Sequence, residues 1–148
     1  MMHEIMGSMA IQIAARYLES GEGGKGVMLG GISGVPPSNV VILGAGMVGE
    51  WAARAAMGFG AHVIVLDNDL GALRSLEHYL GRGITTAMAT QQYISQALLT
   101  ADVVVGAMMT AGQRAPVVVT EDMVASMRDG SVIVDTVIDQ GGCIETSK

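Results

Sequence analysis

An apolar run that passes directly into glycine-x-glycine-x-x-glycine constrains this chain more than any other segment: Val40-Val41-Ile42-Leu43-Gly44-Ala45-Gly46-Met47-Val48-Gly49. A second apolar run, 63–66, ends on Asp67. A strand, a glycine turn, a helix and a second strand closed by a carboxylate are the parts of a dinucleotide site. Gly44 lets the chain turn sharply out of the strand. Gly46 presents bare backbone, which a pyrophosphate can approach closely. Gly49 lets the helix close on the strand. The N–H groups of Met47, Val48 and Gly49, at the positive end of the helix dipole, then favour an anion. The bland alternative is a structural glycine turn with no ligand.

The rest of the sequence repeats the same rhythm. Strands are expected at 40–43, 63–66, 84–88, 103–105 and 131–134, with helices at 47–57, 70–80 and 94–99. Thr120 is a candidate N-cap for one more helix, with Glu121 and Asp122 in its first turn. Alternating strands and helices imply right-handed crossovers. The expected fold class is α/β, a Rossmann-type doubly wound parallel sheet. Ahead of it, 4–19 shows Ile5/Met6, Met9/Ala10, Ile13/Ala14 and Tyr17/Leu18 at four-residue spacing, an amphipathic helix stopped by Gly21, Gly23 and Gly24. We therefore divide the chain into a connecting helix and glycine linker, 1–25, and a nucleotide-binding domain, 26–148. A helix that opens the chain without a capped approach suggests a piece of a longer protein.

Composition narrows the partners. Half of the 148 residues are apolar but only 3% are aromatic, so the core falls to Val, Ile, Leu, Ala and the twelve Met. A net charge of −6 without a run of Lys or Arg argues against nucleic acid. The single cysteine, Cys143, excludes an internal disulfide and fits a reducing compartment. No apolar run reaches membrane-spanning length, and no basic leader precedes an apolar core. A soluble, cytoplasmic protein is expected.

Asp67 separates the nucleotides. A carboxylate at the end of the second strand accepts hydrogen bonds from the adenosine ribose hydroxyls, whereas a 2′-phosphate needs a cation there. Asn68 and Asp69 follow, and the nearest arginine is Arg74. NAD is therefore favoured over NADP. A solvated turn residue is the alternative for Asp67, and FAD and S-adenosylmethionine sites share the local motif.

Other segments narrow the choice. The entry Gly24-Lys25-Gly26-Val27-Met28-Leu29-Gly30-Gly31-Ile32-Ser33-Gly34-Val35-Pro36 resembles the alanine dehydrogenase and pyridine nucleotide transhydrogenase family. So do Gly106-Ala107, Gly112-Gln113-Arg114-Ala115-Pro116, Ser131-Val132-Ile133-Val134-Asp135 and Ile138-Asp139-Gln140-Gly141-Gly142-Cys143. The last is the most specific, and the entry segment leans toward alanine dehydrogenase. The resemblance runs through nearly the whole chain. It implies the NAD-binding domain of a longer enzyme that interconverts L-alanine with pyruvate and ammonia, its 2-oxo-acid site supplied largely by a substrate domain outside this chain. The alternatives are the nucleotide-binding component of a transhydrogenase or a stand-alone NAD(H) sensor.

Residue roles follow from the same resemblance. Asp139 corresponds to an aspartate at the nicotinamide end, where a carboxylate orients water or ammonia or stabilises an iminium by charge; a loop cap is its bland alternative. Met108 and Met109 correspond to residues whose backbone passes the nicotinamide ribose, with core packing as the alternative. Thr90 corresponds to a hydroxyl at the adenine edge. Thr136 lies beside Asp139 on the nicotinamide side. His3 and Ala72 depart from the family pattern, Ala72 where some relatives carry a basic residue near the ribose. Asp135 is expected to be structural, Cys143 small and buried, and His3, His62 and His78 solvated or packed. Relatives form hexamers with the first helix along a subunit contact, which implies a homo-oligomer.

Overall fold

The computed structural model describes residues 1–18, 29–30, 33–34, 36–108, 118–137 and 142–146. Helix α1 (Met2–Tyr17) precedes β1 (Asn39–Leu43), α2 (Met47–Gly58), β2 (His62–Asp67), α3 (Leu70–Leu80), β3 (Ile84–Met88), α4 (Gln91–Thr100), β4 (Val103–Gly106), α5 (Glu121–Ala125) and β5 (Val132–Asp135). The strands form one parallel sheet in the order β3-β2-β1-β4-β5. The chain winds outward from β1 in one direction and then, through β4, in the other. The expected doubly wound sheet is present. The strand order reverses between β1 and β4, and ligands of open parallel sheets bind in the crevice at that point, outside the carboxyl ends.

Alternation along the central strand divides the interior between two layers. Val40 and Ile42 of β1, with Val63 and Val65 of β2 and Val103 and Val105 of β4, pack toward α1, α2 and α3. Val41 and Leu43, with Leu66 and Val104, pack toward Ile94 and Leu98 of α4 and Met123 of α5. Both faces are covered, so the inner strands are continuously apolar. Strand β3 sits at the edge and is only partly buried, which accounts for its two threonines.

Helix α1 sits on α2 at close range. A Cβ built on Gly7 would stand 2.5 Å from the Val48 carbonyl oxygen and 2.7 Å from the Ala52 nitrogen, so only glycine permits this crossing. The buried face is Gly7, Ala10, Ile11 and Ala14, followed by Leu18. The stripe read from the sequence is thereby split. Its small members turn inward, whereas Ile5, Met9, Ile13 and Tyr17 are 41–52% exposed. Close approach of two helix backbones selects small side chains, and four-residue spacing alone does not distinguish them from the larger ones beside them. The helix also begins two residues earlier than the spacing implies. The glycines expected to stop it, Gly21, Gly23 and Gly24, lie outside the described residues.

Candidate nucleotide site at the carboxyl ends of the strands

The glycine turn follows β1 at the centre of the sheet. Gly44 has φ +118°, a conformation L side chains rarely adopt, and its Cβ would lie 2.5 Å from the Ala107 carbonyl oxygen. Its N–H donates to the Leu66 carbonyl at 2.8 Å, which ties the turn to β2. A Cβ on Gly49 would fall 1.8 Å from the Gly44 carbonyl oxygen, so this glycine sets how tightly α2 closes on the turn. Gly46 differs from both. Its φ is −76°, open to any residue, and a Cβ there would meet nothing within 4 Å. Packing explains Gly44 and Gly49; nothing among the described residues explains Gly46.

Gly46 is also the N-cap of α2 and offers no side chain to cap it. The first return bond runs from the Glu50 N–H to the Gly46 carbonyl at 2.8 Å. Met47, Val48 and Gly49 thus open the helix, where backbone N–H groups have no helical acceptor. A cleft of about 270 Å³ borders this turn, between Gly46, Met47 and Glu50 on one side and Ala72, Ser75 and Tyr79 of α3 on the other.

Asp67, the last residue of β2, does more than the sequence reading assigns it. Its Oδ2 accepts from the Ala45 N–H at 2.7 Å, and its Oδ1 accepts from the Asp69 N–H at 2.9 Å. One carboxylate therefore braces the glycine turn from the side and fixes the start of α3. Each oxygen retains acceptor capacity, because a carboxylate offers about four lone-pair sites, and the residue is only half-buried. Asp69 caps α3, its Oδ1 accepting from the Ala72 N–H at 3.1 Å. That cap was missed, although an acidic residue just ahead of an apolar helical repeat is its usual signature.

Thr90 follows β3, close to Asp67, whose carbonyl accepts from the Ala89 N–H at 3.1 Å. The Thr90 hydroxyl caps α4 by accepting from the Tyr93 N–H at 3.1 Å, and its own proton stays available to a ligand. This cap lengthens α4 beyond the expected 94–99. Beside it, a slot of about 220 Å³ lies between Ala89, Gln91 and Ile94 and the segment Val118, Thr120 and Met123. Met108 is buried and packs in the α4–α5 layer. Met109 and Asp139 lie outside the described residues.

The carboxyl end of β5 is built differently. Asp135 accepts at Oδ1 from the Val137 N–H (3.0 Å) and at Oδ2 from the N–H groups of Cys143 (3.1 Å) and Ile144 (3.4 Å). It is structural, as expected. The Thr136 hydroxyl donates to the Gly106 carbonyl at 2.7 Å, fixing the same corner. Cys143 is fully buried. Burial first, and the Asp135 carboxylate second, push its thiol from 9.0 to about 12, so it stays protonated and unreactive at neutral pH. His3, His62 and His78 are exposed, as the solvated reading expects.

A wider cleft, about 450 Å³, lies among Pro36, Ser38, Asn39, His62, Asp102 and Arg128 at the opposite, amino end of the sheet. It is remote from the glycine turn, and strand-end geometry favours the carboxyl side. Among the described residues no group of three or more His, Cys, Asp or Glu is placed to hold a metal ion, and no helix is long and apolar enough to cross a membrane.

Comparison with known proteins agrees with this geometry. The family described as alanine dehydrogenase/PNT, C-terminal domain, matches residues 10–148. The chain belongs to that family. It is 51% identical over 145 residues to the alanine dehydrogenase of Methanococcus maripaludis, covering 98% of this chain and 39% of the relative. A solved structure of L-alanine dehydrogenase superimposes with a TM-score of 0.95 at 45% identity, over 98% of this chain and 40% of that one. The transhydrogenase from Sinorhizobium meliloti is more distant, with a TM-score of 0.84 at 25% identity over 99% and 42% of the two chains. The chain spans about two fifths of the length of the curated relatives it matches. Within the family, the match to alanine dehydrogenases is the stronger one, as the entry segment implies.

Proposed function

We propose that this chain is the NAD-binding domain of an NAD-dependent alanine dehydrogenase, which interconverts L-alanine with pyruvate and ammonia. Gly46 is the observation that carries the dinucleotide part. It is a glycine that neither backbone conformation nor packing requires, set at an open helix start, and a closely approaching pyrophosphate is what would require it. Family membership supports the choice of reaction.

In this proposal the N–H groups of Met47, Val48 and Gly49 hold the pyrophosphate, and Asp67 holds the adenosine ribose. The Thr90 hydroxyl and the slot beside it suit the adenine. Thr136 and the backbone of Met108 and Met109 line the way to the nicotinamide, where Asp139 orients the incoming water or ammonia by hydrogen bonding and opposes positive charge on the substrate. Bound there, NAD would supply the hydride acceptor, its nicotinamide C4, for oxidation at the alanine Cα. The protein's work is to bring the two carbons together and to exclude water. The 2-oxo acid is held largely from a substrate domain outside this chain, so 26–148 alone should bind NAD and turn nothing over, with 1–25 as the link between domains.

Assaying the full-length protein with NAD and a panel of amino acids tests the reaction. Activity confined to an amino acid other than alanine would replace the substrate, and proton-coupled hydride exchange between nucleotides would favour a transhydrogenase component. We also propose a homo-oligomer assembled through the exposed side of α1, as in related hexamers. Ile13→Asp should then lower the mass measured by sedimentation, and an unchanged mass would put the contact elsewhere.

A further inference from the structure

We propose that Asp69 is a second determinant of nucleotide choice, closing the α3 N-terminus to the 2′-phosphate of NADP. The inference rests on the dinucleotide reading above and deepens it, because Asp69 enters that reading only as one more acid after Asp67. A 2′-phosphate sits on the ribose, and the ribose is held by Asp67 at the end of β2. The group beyond Asp67 is the start of α3, because the Asp67 Oδ1 accepts the Asp69 N–H at 2.9 Å. A free helix start there would welcome a phosphate through its unpaired N–H groups and dipole.

Here that position is filled from within the chain. The Asp69 carboxylate accepts from the Ala72 N–H at 3.1 Å, taking an interaction a phosphate oxygen would otherwise make. Gly71 leaves room for it, since a Cβ at 71 would stand 3.2 Å from the Asp69 Oδ1. The described residues beside it add no counter-charge. Glu50, lining the adjoining cleft, is another carboxylate, and Arg54 is engaged with it at 2.9 Å. Ala72 brings no charge, and Arg74 lies further along the exposed side of α3. A 2′-phosphate, carrying about −1.5 to −2 charge, would face Asp67 and Asp69 together. Removing Asp67 alone therefore leaves one repelling carboxylate and a blocked helix start.

Asp69→Asn separates charge from structure, because asparagine is nearly isosteric and caps helices as well as aspartate does. NAD, NADP and 2′,5′-ADP are titrated calorimetrically into the parent chain, Asp69→Asn, Asp67→Ala and the double variant, at two salt concentrations, with denaturation midpoints alongside. Asp69→Asn should keep its midpoint and its NAD affinity while binding NADP and 2′,5′-ADP about tenfold more tightly, as removal of one carboxylate near a dianion implies. The gain should shrink at high salt. The double variant should bind NADP more tightly than Asp67→Ala does. Unchanged NADP affinity in Asp69→Asn, with NAD still bound, would overturn the role of Asp69. A parent chain that binds none of the three ligands would overturn the dinucleotide reading itself.

Discussion

Two strands of this sheet end in aspartate, and the two carboxylates have different fates. Asp135 closes β5, is itself half-buried, and spends its oxygens on the N–H groups of Val137 and of the buried Cys143 and Ile144, beside Gly106, where a Cβ would lie 2.5 Å from the Cys143 sulfur. Asp67 closes β2 and also holds backbone, the N–H groups of Ala45 and Asp69, but it faces an open turn. The same residue type at the same place in a parallel strand is a knot in one case and a knot with spare acceptors in the other. What separates them is the space around them, and Gly46 is the residue that keeps that space clear.

The largest effect expected from this contrast is on stability. Asp135→Ala leaves buried N–H groups of Cys143 and Ile144 without their acceptor and should cost about 3 kcal/mol, read from a urea midpoint. Asp67→Ala should cost only about 1 kcal/mol of stability, because water replaces the carboxylate at a half-exposed site, yet it should weaken NAD binding by about 1.5 to 3 kcal/mol, roughly ten- to a hundredfold. Equal stability losses for the two variants would erase the distinction between the strand ends.

A smaller effect sharpens the enclosed side. The Cys143 thiol is raised to about 12 in the fold. The folded state thus holds this proton more tightly than the unfolded chain, and the associated stability is present below pH 9 and lost as pH rises toward 12. At pH 10 the loss should be about 1.4 kcal/mol relative to pH 8. Cys143→Ala should flatten this part of the alkaline stability profile. An equally steep profile in the variant would mean that other groups carry it.

Much of this was legible in the sequence because it rests on local rules. The glycine fingerprint, the apolar strands and the Thr120 cap each carry their own signal, and the structure places each within a residue or two of expectation. The bracing of Ala45 by Asp67 was not legible, since no pattern within the turn announces a partner on another strand. The inward face of α1 was not legible for a related reason: Gly7 and Ile11 are buried by the approach of α2, a tertiary fact. Asp67 shows the limit most clearly, because its proposed ligand role and its structural role leave the same single letter in the sequence.

The central claim is that the open turn at Gly46 exists for a nucleotide. Gly46→Val tests it most directly, because the backbone there accepts any residue and the added side chain meets no protein atom within 4 Å of its Cβ. Calorimetric titration with NAD, run beside urea unfolding, should find a variant as stable as the parent chain that no longer binds NAD. A folded Gly46→Val that binds NAD with the parent's affinity would contradict the account.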